Sequence, residues 1–367
     1  MTFPDREQCV VGALLQKQAS ERPDTPFLEF ADGDIWTFAE TLERVCRSAS
    51  GLRQLGVQRG AHVLCWLPNG KEAILTWFGA NFLGAVYVPV NTAYRGRLLE
   101  HVIALSDASV LVADSSFMSR LHDIDTAALT DVVVIGEPAA PQSGLSLHPA
   151  EAISPEDGVD AEPDIEPWDN NYLIFTSGTT GPSKAVCCTY LQAWSGAAQA
   201  MYYFDTADRL LANLPLFHVS GTGAVMDRLI KGGTCVLVDG FSPSEFWDVV
   251  RRHRTTGTCL VGAMTQFLLK QPASDQDREH TLKSVITVPW NEDSQAFGRR
   301  FGVEMYTAFN MTELATPIVS EANPEKIGTC GTTRDGITAR IVDDNDIEVP
   351  VGATGELVLR CDRPWEI

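Results

Sequence analysis

Two α/β subdomains with mainly parallel sheets, followed by a small antiparallel β subdomain at the carboxyl end, are what the sequence predicts. Three features predict it. Short β-branched runs alternate with longer helical patterns over most of the 367 residues, the signature of parallel sheets covered by helices. The alternation breaks once, in a Pro-, Asp- and Glu-rich stretch at residues 148–170. It ceases after Glu313, where strands are separated only by turn residues.

In chain order, "AHVLCWL", the helical pattern from Gly70 to Leu83, "AVYVPV", the pattern from Arg97 to Leu105 and "SVLVAD" form the first series. The stretch "HPAEAISPEDGVDAEPDIEPWDN" has almost no apolar periodicity and reads as a connecting loop. The rhythm resumes at "YLIFT" and runs through "RLLANLP", "GTCVLVDG", "GTCLVG", "SVITVP" and "VEMYTAF". Then "ITARIVDDNDIEVPVGATGELVLRC" alternates as two strands with acidic and Gly/Pro turn residues between them. The expected division is 1–170 for the first subdomain with its connecting loop, 171–312 for the second, and 313–367 for the small β subdomain.

Composition removes several classes of function. With 48 acidic against 28 basic residues the net charge is −20, and a polyanion is repelled unless basic residues gather in one place. The densest basic cluster, Arg251, Arg252, His253 and Arg254, follows an amphipathic run and reads as the solvated end of a helix. Nucleic acid is therefore not an expected partner. Nine cysteines are scattered without the two-residue spacing of metal knuckles or redox motifs. The first residues, "MTFPDREQCVVGALL", lack the basic start of a signal peptide, and no window holds the roughly 18 continuous apolar residues of a membrane span. A soluble, cytoplasmic protein is expected.

One loop carries more than turn chemistry. In "TSGTTGPSK", Thr176, Ser177, Thr179, Thr180 and Ser183 offer hydroxyl donors, Gly178 and Gly181 allow close approach of backbone amides, and Lys184 adds a charge. Converging donors and one cation after a buried strand suit a polyphosphate. The spacing is not that of a Walker A loop, because Ser183 precedes Lys184 and Ala185 follows it. The same composition describes a plain Gly/Ser turn, and the loop by itself does not decide between the two. Likewise Thr312 and Glu313 also read as a helix start, and an isolated histidine such as His218 also reads as a satisfied neighbour of a core strand.

Four segments in order then resemble the adenylate-forming superfamily of acyl-CoA synthetases. Residues 176–181 match its phosphate loop without a gap. "LPLFHVSG", Leu214 to Gly221, resembles the segment whose histidine lies between acyl pocket and nucleotide. "FNMTE", Phe309 to Glu313, is similar to the family's Tyr-Gly-x-Thr-Glu, and "GATGELVLR" resembles the β segment that begins its small third subdomain. The likeness extends back to "FLEFADGDIWTFAE" near the amino end. Two further segments, beginning at Phe241 and Lys270, look most like the carnitine and crotonobetaine CoA ligase group.

The resemblance implies ATP, Mg²⁺ and coenzyme A, with a small or medium carboxylic acid as substrate. It implies that residues 176–181 and Lys184 cradle the phosphates, that Thr312 donates to the α-phosphate, and that Glu313 holds Mg²⁺. It further implies that Phe309, Asn310 and Met311 contact the nucleotide and that His218 gates the carboxylate site. Alternatives are a nucleotide- or acyl-adenylate-binding module without turnover, and an adenylating unit that loads a carrier protein. A homo-oligomer is left open. Phe309 stands where relatives have tyrosine and Asn310 where they have glycine, and "TVPWNED" replaces a glycine-rich turn beside the adenine. Relatives continue into a mobile lid domain with an essential lysine, to which nothing here corresponds. The expectation is the large domain of a longer enzyme, nearly without turnover on its own.

Overall fold

Along the strand His62–Trp66, Val63 and Cys65 enter one apolar cluster while Leu64 and Trp66 enter another, and all four are buried. Such a strand is covered on both faces, as parallel sheets require. The same division recurs at Thr234–Leu237, where Cys235 and Leu237 face the first cluster and Val236 a third. One cluster is therefore shared by two sheets. Between them lies a layer of helices that includes Val11–Glu21, Phe38–Gln54, Lys71–Phe82 and Val219–Lys231. The helix Lys71–Phe82 is buried almost all round, and its Trp77 Nε1 donates to Asn171 Oδ1 at 2.8 Å. The computed structural model describes residues 3–138, 140, 144–162, 164–176 and 182–363.

Each sheet has seven strands. The first runs Ser146–Pro149, Asp131–Ile135, Val110–Asp114, His62–Trp66, Val86–Pro89, Asn170–Thr176, Lys184–Thr189, parallel except for the last pair. The second runs Glu304–Tyr306, Ser284–Val288, Gly257–Val261, Arg209–Ala212, Thr234–Leu237, Pro26–Phe30, Ile35–Thr37, again parallel except for the last pair. The strands are not dealt out in chain order. Pro26–Phe30 joins the second sheet, and Asn170–Thr176, at the expected 170/171 boundary, joins the first. Because both sheets bury a face against one helical layer, a strand from either half of the chain can complete either sheet.

The described residues of 148–170 form a strap tied to the body of the molecule. The Val159 amide donates to the Cys46 carbonyl at 3.0 Å, the Glu162 amide to that of Phe82 at 2.8 Å, and Ile165 is buried. After residue 307 the chain forms an antiparallel three-stranded sheet, Ala308–Met311, Ala315–Val319 and Thr332–Thr333, and an antiparallel pair, Ile337–Val342 with Glu356–Cys361. The α/β prediction with a small terminal antiparallel unit thus holds. The basic run does end a helix, Phe246–His253, with Arg251, Arg252 and Arg254 exposed, but the His253 side chain departs from that solvated face. It is buried with Nδ1 2.6 Å from Glu29 Oε1, and Glu29 also pairs with Arg209, so the side chain belongs to a polar cluster beneath the second sheet. Among the described residues no helix is long and apolar enough to cross a membrane.

The two sheets are locked together at Asn69, just beyond the strand His62–Trp66. Its Nδ2 donates to the carbonyls of Leu214 and Val238, each at 3.0 Å, and its Oδ1 accepts from the Leu216 amide at 2.9 Å. The side chain is 7% exposed, so water cannot replace these bonds. Asn69→Ala leaves buried backbone groups unpaired at about 1–3 kcal/mol each. We expect a loss of at least about 2 kcal/mol of stability, read as a lower urea midpoint at unchanged slope. A midpoint within error of wild type would refute the lock.

Candidate active site

The hairpin that carries the Gly- and Thr-rich loop is built from Asn170–Thr176 and Lys184–Thr189, with Thr176 paired opposite Lys184. Ser177, Gly178, Thr179, Thr180 and Gly181 lie outside the described residues. Thr176 is half-buried at the carboxyl end of its strand, and Lys184 is exposed at the start of the returning one. His101 Nε2 donates to the Ser183 carbonyl at 2.8 Å and fixes the base of the loop. Ligands of open α/β sheets bind beyond the carboxyl ends of strands, and Thr176 stands at such an end.

The returning strand leads into the helix Tyr190–Trp194, where Thr189 Oγ1 accepts from the Gln192 amide at 3.1 Å. Gln192 then reaches the Thr-Glu turn, its Nε2 donating to the Thr312 carbonyl at 2.8 Å, with Cys188 Sγ 3.9 Å from the same oxygen. Thr312–Leu314 is a single 3-10 turn without a side-chain cap, not the start of an α-helix. Thr312 is half-buried and Glu313 exposed. Asn310, where a glycine was expected, has a structural task. Its Nδ2 donates to the Ala315 carbonyl and to Thr316 Oγ1, each at 2.7 Å, across an irregularity between Phe309 and Met311. Ala315 has φ +52°, a region that costs a non-glycine residue about 1–3 kcal/mol, and Asn310 holds it there. Phe309 is half-buried, opposite Ile318, and Met311 is exposed.

His218 enters from the second sheet. The strand Arg209–Ala212 ends in the segment gripped by Asn69, and His218 is the residue before the helix Val219–Lys231. A Cβ on Gly221 would fall on the Pro215 carbonyl, so glycine is required for the helix to start this close to the strand end. The His218 ring is surface-accessible beside Phe217, with centroids 4.9 Å apart. Partial burial nevertheless pulls its pKa below the ordinary imidazole value.

These segments surround a cavity of about 250 Å³. Asn310, Met311 and Thr312 line one side, Val219, Ser220 and Gly223 another, and Gln192, Gly196 and Ala197 a third. His218, Lys184, Glu313 and Phe309 do not line it and lie in the segments at its margin. The third wall includes a π-helical turn, Ser195–Gln199, pinned by Arg334: Nη2 meets Ser195 Oγ at 3.0 Å, Nη1 meets Gln199 Oε1 at 2.6 Å, and Nε donates to the Thr316 carbonyl at 2.6 Å. The bulky turn at residues 287–293 leaves the cavity open, because Trp290 is buried in the outer cluster with Val285 and Phe297 and only Val288 faces inward. Burial pushes the Cys188 and Cys259 thiols up to about 12, so these cavity cysteines stay protonated and are poor nucleophiles.

Among the described residues no group of three His, Cys, Asp or Glu side chains is placed to hold a metal. Glu313, a lone exposed carboxylate, fits the mode in which Mg²⁺ takes one or two carboxylates and completes its shell with substrate phosphates and water. Sequence reasoning did not find Gln192, Gly223 or Arg334. Gly223 left one signal, a glycine inside a helical pattern; the other two act through contacts between distant segments.

Comparison with known proteins shows the family and the fold. The family described as AMP-binding enzyme matches residues 15–362. A crotonobetaine/carnitine–CoA ligase of Salmonella paratyphi B is 29% identical over 344 residues, 89% of this chain and 65% of that protein. The chain thus spans less than two thirds of that relative's length. Among solved structures, an anthranilate CoA ligase in complex with anthranoyl-AMP superposes with a TM-score of 0.85 at 23% identity, covering 96% of this chain and 70% of that one. A benzoate CoA ligase from Burkholderia xenovorans superposes with a TM-score of 0.84 at 20% identity, covering 96% and 71%. These two share the fold.

The His218 geometry sets a pH dependence. A folded pKa below the unfolded one means that protonation favours unfolding. Its contribution to stability is complete above about pH 6.5 and is lost as pH falls through the folded value. An NMR titration should give His218 a midpoint below 6.5, and the stability difference between wild type and His218→Asn should shrink on acidification through that range. A midpoint at or above 6.5 would contradict the burial argument.

Proposed function

We propose, because this chain belongs to the AMP-binding enzyme family, that it serves ATP-dependent activation of a carboxylic acid. A carboxylate oxygen attacks the α-phosphorus of ATP, the bond to pyrophosphate breaks, and an acyl adenylate forms. The thiol of coenzyme A then attacks the acyl carbon and AMP leaves. The observation that carries this reading is a cavity walled by the Asn310–Thr312 segment and by the helix that follows His218, with the loop-bearing hairpin tied to the same turn through Gln192. The relative's name, a crotonobetaine/carnitine–CoA ligase, supports an acid and coenzyme A as reactants.

Each residue has a task that follows from its chemistry. The cavity takes the acid. Its carboxylate is already ionised at neutral pH, so no general base is needed for the attack, and His218 borders the acyl side without a proton-transfer role. Thr312 donates to the α-phosphate as charge develops there. Thr176, the loop 177–181 and Lys184 neutralise the departing phosphates, and Phe309, Asn310 and Met311 flank the nucleotide. Mg²⁺, when bound with ATP, supplies further neutralisation, and Glu313 is the residue that would hold it. Nine cysteines without metal-knuckle or redox spacing suit the reducing cytoplasm.

Two substitutions test the assignment. Lys184→Ala should weaken ATP by about 10- to 100-fold while leaving AMP nearly unchanged, since a charge-assisted contact of about 1.5–3 kcal/mol is lost to phosphates that AMP lacks. Calorimetry with both nucleotides reads this directly, and equal losses would reduce Lys184 to a structural role. Glu313→Gln should abolish the gain in ATP affinity on adding Mg²⁺ without shifting the unfolding midpoint. A gain equal to that of wild type would remove the metal from Glu313.

A further inference from the structure

The lining of the cavity constrains the acid. Among its described residues none is Asp, Glu, Lys, Arg or His. A permanent positive charge on the acyl group would therefore lose its hydration with no anion in return, which is costly in a buried site. Aromatic faces can replace an anion in holding a quaternary ammonium group, but the aromatic lining here is Tyr172 and Tyr203 alone. Tyr203 already stacks on Tyr306, with centroids 4.1 Å apart at 20°, and Tyr172 packs on Trp77. Two rings, one of them stacked on a neighbour and the other in an edge contact, do not make a cage around a cation.

Size gives a second bound. About 250 Å³ lies below the roughly 300–1,000 Å³ of sites that take drug-sized ligands and is the scale of a compact acyl group. Part of that space is kept open by Gly223. It lies within the helix Val219–Lys231, where glycine is the least favourable residue after proline, yet a Cβ there would meet nothing within 4 Å. Neither a close neighbour nor a left-handed backbone requires it, and it lines the cavity.

We infer that the acid is compact and apolar, carries no charge besides its carboxylate, and has the width of its site set by Gly223. The inference rests on the adenylation reading above and separates this chain from betaine acids of the kind named for its relative. Calorimetry on the 367-residue chain with AMP, benzoyl-sulfamoyl adenosine and its γ-trimethylammonio-butanoyl counterpart tests it. The benzoyl probe should bind at least about tenfold more tightly than AMP, and the trimethylammonio probe no more tightly than AMP. Equal or tighter binding of the charged probe, with AMP bound, overturns this inference alone. Failure of AMP and both probes overturns the adenylation reading on which it stands.

Gly223→Leu should weaken the benzoyl probe at least about tenfold and AMP less than twofold, because the added atoms enter acyl space only. Gly223→Ala is the control for folding. It should keep or raise the unfolding midpoint while weakening the benzoyl probe less than leucine does. Unchanged binding of the benzoyl probe in both variants, or a lowered midpoint in Gly223→Ala, would show that the glycine serves the fold and not the acid.

Discussion

The amide of Asn69 is the constraint on which the arrangement of the site depends. It leaves the first sheet just past its central strand and commits three hydrogen bonds to Leu214, Leu216 and Val238, at the carboxyl ends of two strands of the second. Apolar contact alone would hold the sheets together but would tolerate sliding, since dispersion and hydrophobic burial are non-directional. Directed bonds to three backbone groups do not. They fix Leu214–Leu216, and with it the position at which His218 and the following helix begin. The close approach at Gly221 then carries that register into one wall of the cavity.

The opposite wall is set in the same manner, by polar side chains gripping main chain. Gln192 holds the Thr312 carbonyl and Asn310 holds that of Ala315. Both act on a turn too short to define itself by regular hydrogen bonding, and one of its neighbours, Ala315, sits in an unfavourable conformation. Side chains that direct the backbone leave the interior of the cavity free for apolar surface. The nucleotide site proposed above thus adjoins a chamber whose described lining carries no charge.

Much of the fold was legible because parallel strands buried on both faces leave continuous apolar runs, such as residues 62–66 and 234–237, that composition alone reveals. Membership of the sheets was not legible. Pro26–Phe30 and Thr234–Leu237 are adjacent in space and some 200 residues apart, and nothing local encodes that pairing. At the site, the segments 176–184, 214–221 and 309–313 could be picked out because their chemistry is written in consecutive residues. Gln192 and Arg334 could not, since their roles exist only after distant segments meet. Whether the "TVPWNED" turn would fill the cavity is likewise not legible in residues 287–293, because the answer lies in the direction of the Trp290 side chain, into the outer core. His253 shows the reverse error, a basic run that conceals a buried partner for Glu29.

The guanidinium of Arg334 joins two parts of the molecule that the chain separates by about 135 residues, as between Gln199 and Arg334. Its planar fork engages the π-helical turn on one side and the Thr316 carbonyl on the other, and a rigid planar group transmits displacement where a flexible one would absorb it. The turn and the terminal β unit are therefore mechanically one body. A displacement of the turn would thus be passed to the β unit through Arg334.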